Sequence, residues 1–152
     1  MLAIKKILFP CDLTPHSSRI LKYALALAEP FGSRICILHV VQDLRIWAGL
    51  YMPHKNLGLE QGEVVAHAQQ SLTQFCLDIP AARENAEKRV VSGEPADEII
   101  TFVQKEGADL IVMGTHGRKG IEYSLFGSVA AKVVRFSPVP VLTVNPETLS
   151  VN

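Results

Sequence analysis

Cysteine is scarce in this chain of 152 residues: Cys11, Cys36 and Cys76 are three in number and show no CxxC spacing. That excludes a disulfide framework and a cysteine-based zinc site, and free thiols suit a reducing compartment. There is no surplus of charge either. Fifteen basic and fifteen acidic side chains cancel, so no global field draws the chain to nucleic acid or to an anionic membrane. No apolar run reaches the length of a spanning helix, and the opening Met-Leu-Ala-Ile-Lys-Lys-Ile-Leu-Phe-Pro lacks a secretory apolar stretch. A cytoplasmic location is expected on those grounds. His39, His54 and His67 are scattered without metal-ligand spacing. No internal repeat, low-complexity tract or linker divides the chain, so one domain is expected over residues 1–146, with a frayed tail over 147–152.

What is present is the composition of a folded core: 48% hydrophobic and 20% charged residues. Apolar runs at 4–9, 34–41, 88–91, 109–114 and 139–144 read as strands, several apolar enough to sit mid-sheet. Between them lie helical spacings. Thr14-Pro15 has the form of an N-cap followed by proline at N1, and Gly32 that of a C-terminal stop. Ile20, Leu21, Ala24, Leu25, Leu27, Ala28 and Phe31 form the expected inner stripe. Further helices are predicted over about 59–77, from Gly93-Glu94-Pro95 to Gly107 with Asp97 and Glu98 in the first turn, and over 128–135. Strands alternating with helices predict a parallel sheet covered on both faces. Residues 42–58 have neither period; Trp47, Tyr51 and Met52 there suit either a lid over a ligand or an apolar flap.

The chemistry concentrates at residues 114–129, Gly-Thr-His-Gly-Arg-Lys-Gly-Ile-Glu-Tyr-Ser-Leu-Phe-Gly-Ser-Val. A strand leads in and a helix leads out. Glycines let backbone approach a ligand, and the N–H groups of a helix start favour phosphate. The stretch is neither a P-loop nor the dinucleotide fingerprint. Asp12, after the first strand, reads as a turn residue or as a ligand contact, and Ser128 as an N-cap, a phosphate donor, or both. Arg118 and Lys119 are placed to neutralise phosphate or to be solvated loop cations. Cys11 is a small buried hydrophobe or a thiol activated by a helix start. His116, Ser128 and Asp12 hold the residue types of a hydrolytic triad, but no Gly-x-Ser-x-Gly elbow accompanies them. No general base and no paired-carboxylate metal site is visible, so turnover is expected to be slow or absent, and no catalytic residue is assigned.

The longer pattern Gly-x2-Gly-x9-Gly-Ser, on Gly114, Gly117, Gly127 and Ser128, resembles the ATP-binding branch of the universal stress protein family. The likeness extends to Lys-Ile-Leu-Phe-Pro-Cys-Asp at 6–12, Leu-His-Val at 38–40, Gly93-x-Pro95 and Pro-Val-Pro-Val-Leu-Thr-Val at 138–144. It implies an open five-stranded parallel α/β sheet of strand order 3-2-1-4-5, in a Rossmann-like, adenine nucleotide hydrolase-like fold. It also implies a homodimer whose last strand, with Val139, Val141 and Thr143, pairs across a two-fold axis. The implied ligand is ATP, with ADP or AMP as alternatives and Mg2+ as companion, Asp12 being a candidate outer contact. Pro10 and Asp12 would line the adenine or ribose, Val40 would meet the base through its backbone, and Met113 and Gly114 would flank ribose and phosphates. Gly117, Gly127, Ser128 and Val129 would bind phosphate. The function so implied is a nucleotide-responsive stress module with an unidentified protein partner. A slow ATPase or nucleotidyl-transfer enzyme, and a structural dimer without nucleotide, are the alternatives.

Overall fold

The computed structural model describes residues 3–42, 61–116 and 127–149. Its strands are β1 (Lys6–Pro10), β2 (Arg34–Gln42), β3 (Glu87–Gly93), β4 (Leu110–Gly114) and β5 (Val141–Val144). Its helices are α1 (Pro15–Ala28), α2 (Gln61–Leu77), α3 (Pro80–Asn85), α4 (Pro95–Glu106) and α5 (Ser128–Phe136). All five strands form one parallel sheet in the order β3-β2-β1-β4-β5, the open Rossmann-like arrangement expected. Residues 43–60, with Trp47, Tyr51 and Met52, lie outside the described residues, as do Gly117, Arg118 and Lys119. Among the described residues no helix is long and apolar enough to cross a membrane.

The period of two along each strand divides the core into two layers. Ile7, Phe9, Ile35, Ile37 and Val112 pack with Ile20, Leu21 and Ala24 of α1 and Leu72 and Cys76 of α2. Leu8, Cys36, Leu38, Ile111 and Met113 pack with Ile99, Phe102 and Val103 of α4 and Ala130 and Val133 of α5. Burying both faces is what makes these strands continuous apolar runs rather than alternating ones. Each fully buried leucine or isoleucine contributes about 1.5–3 kcal/mol.

Local differences from the sequence expectation have local causes. α1 stops at Ala28, and the tighter pitch of the 3-10 turn Glu29–Phe31 carries Phe31 off the inner stripe, leaving it 53% exposed. Gly32 then closes that turn in the left-handed region, at φ 61. α3, which the sequence reading lacks, starts with Pro80 in its first turn and buries Ala82. β5 begins at Val141, after Pro140, whose carbonyl still accepts from the Ile111 N–H at 3.0 Å. At the C-terminal end Asn145 Oδ1 accepts from the Glu147 N–H at 3.0 Å and caps a 3-10 turn, Pro146–Thr148, with Pro146 buried.

The topology decides where a ligand can sit. From β1 the chain moves outward through β2 to β3, then crosses back to β4 and β5 on the other side of β1. Strand order therefore reverses between β1 and β4, and the crevice beyond their carboxyl ends is the usual ligand position in such sheets.

Candidate functional site

At the β1 end the chain is held by side chains. The Cys11 N–H donates to the Leu38 carbonyl at 2.8 Å, one residue past the strand, and the Cys11 carbonyl lies 2.7 Å from Nδ1 of the buried His39. Asp12 Oδ1 then accepts from the Thr14 N–H at 3.0 Å, the Thr14 hydroxyl at 2.6 Å and the Ser17 hydroxyl. This turn puts Leu13 at φ 63, which costs a leucine about 1–2 kcal/mol. Thr14 caps α1 as its sequence predicts, accepting from the Ser17 N–H at 3.4 Å. Asp12 thus has the turn role of the plainer sequence reading, bracing the Thr14 cap through its Oδ1.

At the β4 end the chain is held by backbone. The Thr115 N–H donates to the Val144 carbonyl at 3.0 Å, and the Thr115 carbonyl accepts from the Gly127 N–H at 2.7 Å. That second bond starts α5 directly beside the end of β4. Gly127 is the N-cap, at φ −66 and ψ 160, a conformation open to any residue. The backbone angle therefore does not require glycine at this position. The first bond within α5 runs from the Ala131 N–H to the Gly127 carbonyl at 3.0 Å, so the amides of residues 128–130 precede the helical ladder. Gly114 has a packing reason as well. A Cβ there would lie 2.7 Å from Ile20 Cδ1 of α1, so a larger residue at 114 requires the end of the buried Ile20 side chain to shift.

Of the residues singled out in the sequence, Pro10 ends β1, and Gly114 and Gly127 are joined through Thr115. Met113 is buried in the layer that packs on α4 and α5, and Val40 and Val129 pack against that same layer, so these three share one side of the sheet. Ser128 opens α5 and is exposed. The triad reading finds other partners: His116 Nδ1 pairs with the Thr115 hydroxyl at 2.8 Å, and Asp12 with Thr14 and Ser17. The reactive-thiol reading of Cys11 is overturned, because burial pushes the thiol up to about 12 and holds it neutral. Lys132 is bound to Asp97 at 2.8 Å and Glu94 at 3.6 Å, and the Asp97 hydrogen bond is the first cause of its raised pKa. Among the described residues no group of three or more His, Cys, Asp or Glu is arranged to hold a metal.

The sequence reading missed Leu13, Ser17 and Ile20 as parts of this region, and treated His39 only as a surface or strand histidine. Ser17 had a signal, standing three residues after the Thr14 cap; Ile20 was read only as part of the inner stripe and His39 only within Leu-His-Val, and Leu13 had no signal. An open groove of about 850 Å³ lies between α1 and α2, bordered by Ser18, Lys22, Gln74 and Asp78. It reaches the β1 end only through Leu13 and Thr14 and includes neither the β4 end nor the start of α5. The switch-point crevice, where helix-start amides converge with two strand ends, is therefore the better candidate.

A model of the universal stress protein family matches residues 3–145. Universal stress protein MJ0531 of Methanocaldococcus jannaschii is 33% identical over 146 residues, covering 92% of this chain and 81% of that protein. The solved structure of MJ0577 from the same organism superposes with a TM-score of 0.76 at 26% identity, covering 95% of this chain and 97% of the other. A universal stress protein in complex with cAMP gives a TM-score of 0.72 at 22% identity, over 95% of this chain and 99% of its own. The Archaeoglobus fulgidus universal stress protein in complex with dAMP gives 0.64 at 21%, over 93% and 98%.

Proposed function

The chain belongs to the universal stress protein family, and from that premise we propose that it binds an adenine nucleotide beyond the carboxyl ends of β1 and β4. The observation that carries this reading is the Gly127 N–H bond to the Thr115 carbonyl, which seats a helix start capped without a side chain beside the strand-order reversal. Amides at such a terminus favour phosphate. Relatives of the same fold in complex with cAMP and dAMP support the choice of an adenine nucleotide.

ATP is the expected ligand, with ADP and AMP as alternatives. In this reading Gly127, Ser128 and Val129, together with Gly117, Arg118 and Lys119 of the intervening loop, take the phosphates. Met113 and Gly114 flank the ribose, and Pro10, Asp12 and Val40 line the base side. With no metal cluster among the described residues, a Mg2+ ion would be held by the triphosphate, with Asp12 as an outer contact. No catalytic residue is assigned, and hydrolysis should be slow or absent. The three buried free thiols suit a reducing cytoplasm.

A homodimer through the β5 edge completes the proposal, as a nucleotide-responsive stress module that signals to another protein. Val139 and Val141 pack inward on the core, whereas Leu142 is 44% exposed. Leu142→Lys is therefore the sharper test of that edge: it should yield monomers in sedimentation, and an unchanged dimer would place the interface elsewhere. For the nucleotide itself, freshly purified protein is denatured and the released small molecules are identified by mass. Stoichiometric ATP or ADP is expected. No release, followed by a silent titration with ATP and Mg2+, would sink the reading and favour the structural dimer.

A further inference from the structure

We infer that His39 positions the base half of the site: its imidazole takes the Cys11 carbonyl and so leaves the Val40 main chain to face a purine edge. This rests on the adenine nucleotide reading above. A carbonyl oxygen only accepts, so at 2.7 Å the Nδ1 atom must carry the proton.

The ladder shows what the imidazole displaces. The β1–β2 rungs run from the Arg34 N–H on the Lys5 carbonyl to the Cys11 N–H on the Leu38 carbonyl, each 2.8 Å. With Lys6 opposite Arg34 and Pro10 opposite Leu38, the even-numbered residues of β2 turn their backbone groups toward β1. The next rung would be the Val40 N–H on the Cys11 carbonyl, and that bond is not formed. The chain instead leaves the ladder through Asp12 and the left-handed Leu13, and the carbonyl is held by the side chain of the preceding β2 residue. β2 itself continues to Gln42, kept in place by β3 through the Val40–Val91 register. The Val40 N–H and C=O therefore project past the end of β1, a donor and an acceptor on a rigid strand. A purine offers the complementary pair on its hydrogen-bonding edge.

The test separates base from phosphate. AMP and inorganic tripolyphosphate are titrated into the wild-type chain and into His39→Asn, His39→Gln and His39→Leu, each checked for folding. The Asn amide can reach the position of Nδ1, whereas Gln places its amide further out and Leu has none. AMP should weaken about tenfold or more in the Leu and Gln variants and recover in Asn, on the scale of one lost hydrogen bond to the ligand. Tripolyphosphate should stay within about twofold, since its contacts are those of the helix start. Without ligand, nitrogen NMR should show the Nδ1–H tautomer at His39 and a fast-exchanging Val40 amide, which slows in His39→Leu as it closes onto the Cys11 carbonyl. Equal AMP affinity in all variants, an Nε2–H tautomer, or a protected Val40 amide in the wild type would each overturn the inference. If the wild type binds neither probe, the nucleotide reading fails by itself, and the tautomer and the Val40 amide still decide the role of His39.

Discussion

The N-termini of α1 and α5 stand at the ends of neighbouring strands and are finished in opposite ways. At α1, Asp12, Thr14 and Ser17 close the helix start with their own oxygens. α4 is closed in the same manner, its Glu94 carboxylate accepting from the Asp97 N–H at 3.0 Å. At α5 the cap is Gly127, which brings no side-chain oxygen. A helix start closed by its own side chains is finished as structure, whereas one capped by glycine keeps its amides and dipole for an acceptor from outside. The difference underlies the proposed division of the crevice, with the β1 wall braced by side chains and the β4 wall offered to phosphate.

The largest effect should come from breaking the closed end. Asp12→Ala removes three hydrogen bonds from one oxygen and frees the turn that holds Leu13, with an expected loss of about 2–4 kcal/mol in urea unfolding. A loss below about 0.5 kcal/mol, within the range of an ordinary surface change, would mean that the cap is ornamental.

The sharper change makes the open end resemble the closed one. Gly127→Asp supplies a carboxylate to the first amides of α5, so stability should be unchanged or higher by a few tenths of a kcal/mol. Nucleotide affinity should fall about 100-fold, roughly 2.7 kcal/mol, because the site is both filled and negatively charged. Wild-type affinity in that variant would remove the distinction between the two helix starts.

The two glycines can be set against each other in the same way. Gly114→Ala should lower stability by about 1–2 kcal/mol through overpacking against Ile20. Ile20→Val should relieve part of that loss. If neither thermal midpoint moves as expected, the contact between α1 and β4 is looser than the 2.7 Å approach indicates.

The smallest effect at neutral pH concerns the thiols. Burial raises Cys11 and Cys36 to about 12 in the folded chain, above the unfolded value near about 8.5. The folded state therefore keeps protons that the unfolded state releases. The contribution is complete below about pH 8.5 and is lost as pH rises from there toward about 12. Iodoacetamide at pH 8 should leave both thiols intact in the native protein. Asp12→Ala should expose Cys11 to the reagent before Cys36, and simultaneous modification would show that the closed end does not open locally.

Much of this arrangement was legible in the chain. Thr14-Pro15 marked the start of α1, Gly93-Glu94-Pro95 that of α4, and Gly107 its left-handed stop at φ 72, because caps act within one turn. The glycine spacing located the start of α5. Phe31 was misplaced because a 3-10 turn has about 3.0 residues per turn against about 3.6 in an α-helix, and that tightening rotates its side chain off the stripe. The anchoring of Leu149 on the layer beneath α1 and α2 had no local signal, because its partners lie far away in the chain.

By itself, the sequence determined the alternation of strand and helix, the helix ends, the burial of both sheet faces and the glycine-marked start of α5. Each depends on residues within a turn or two of one another. Only the tertiary structure decided that Ile20 occupies the space over Gly114, that His39 holds the Cys11 carbonyl, and that β4 rather than β2 faces the glycine-capped helix start. Those contacts join residues far apart in the chain, and their geometry exists only once β1 is enclosed between β2 and β4.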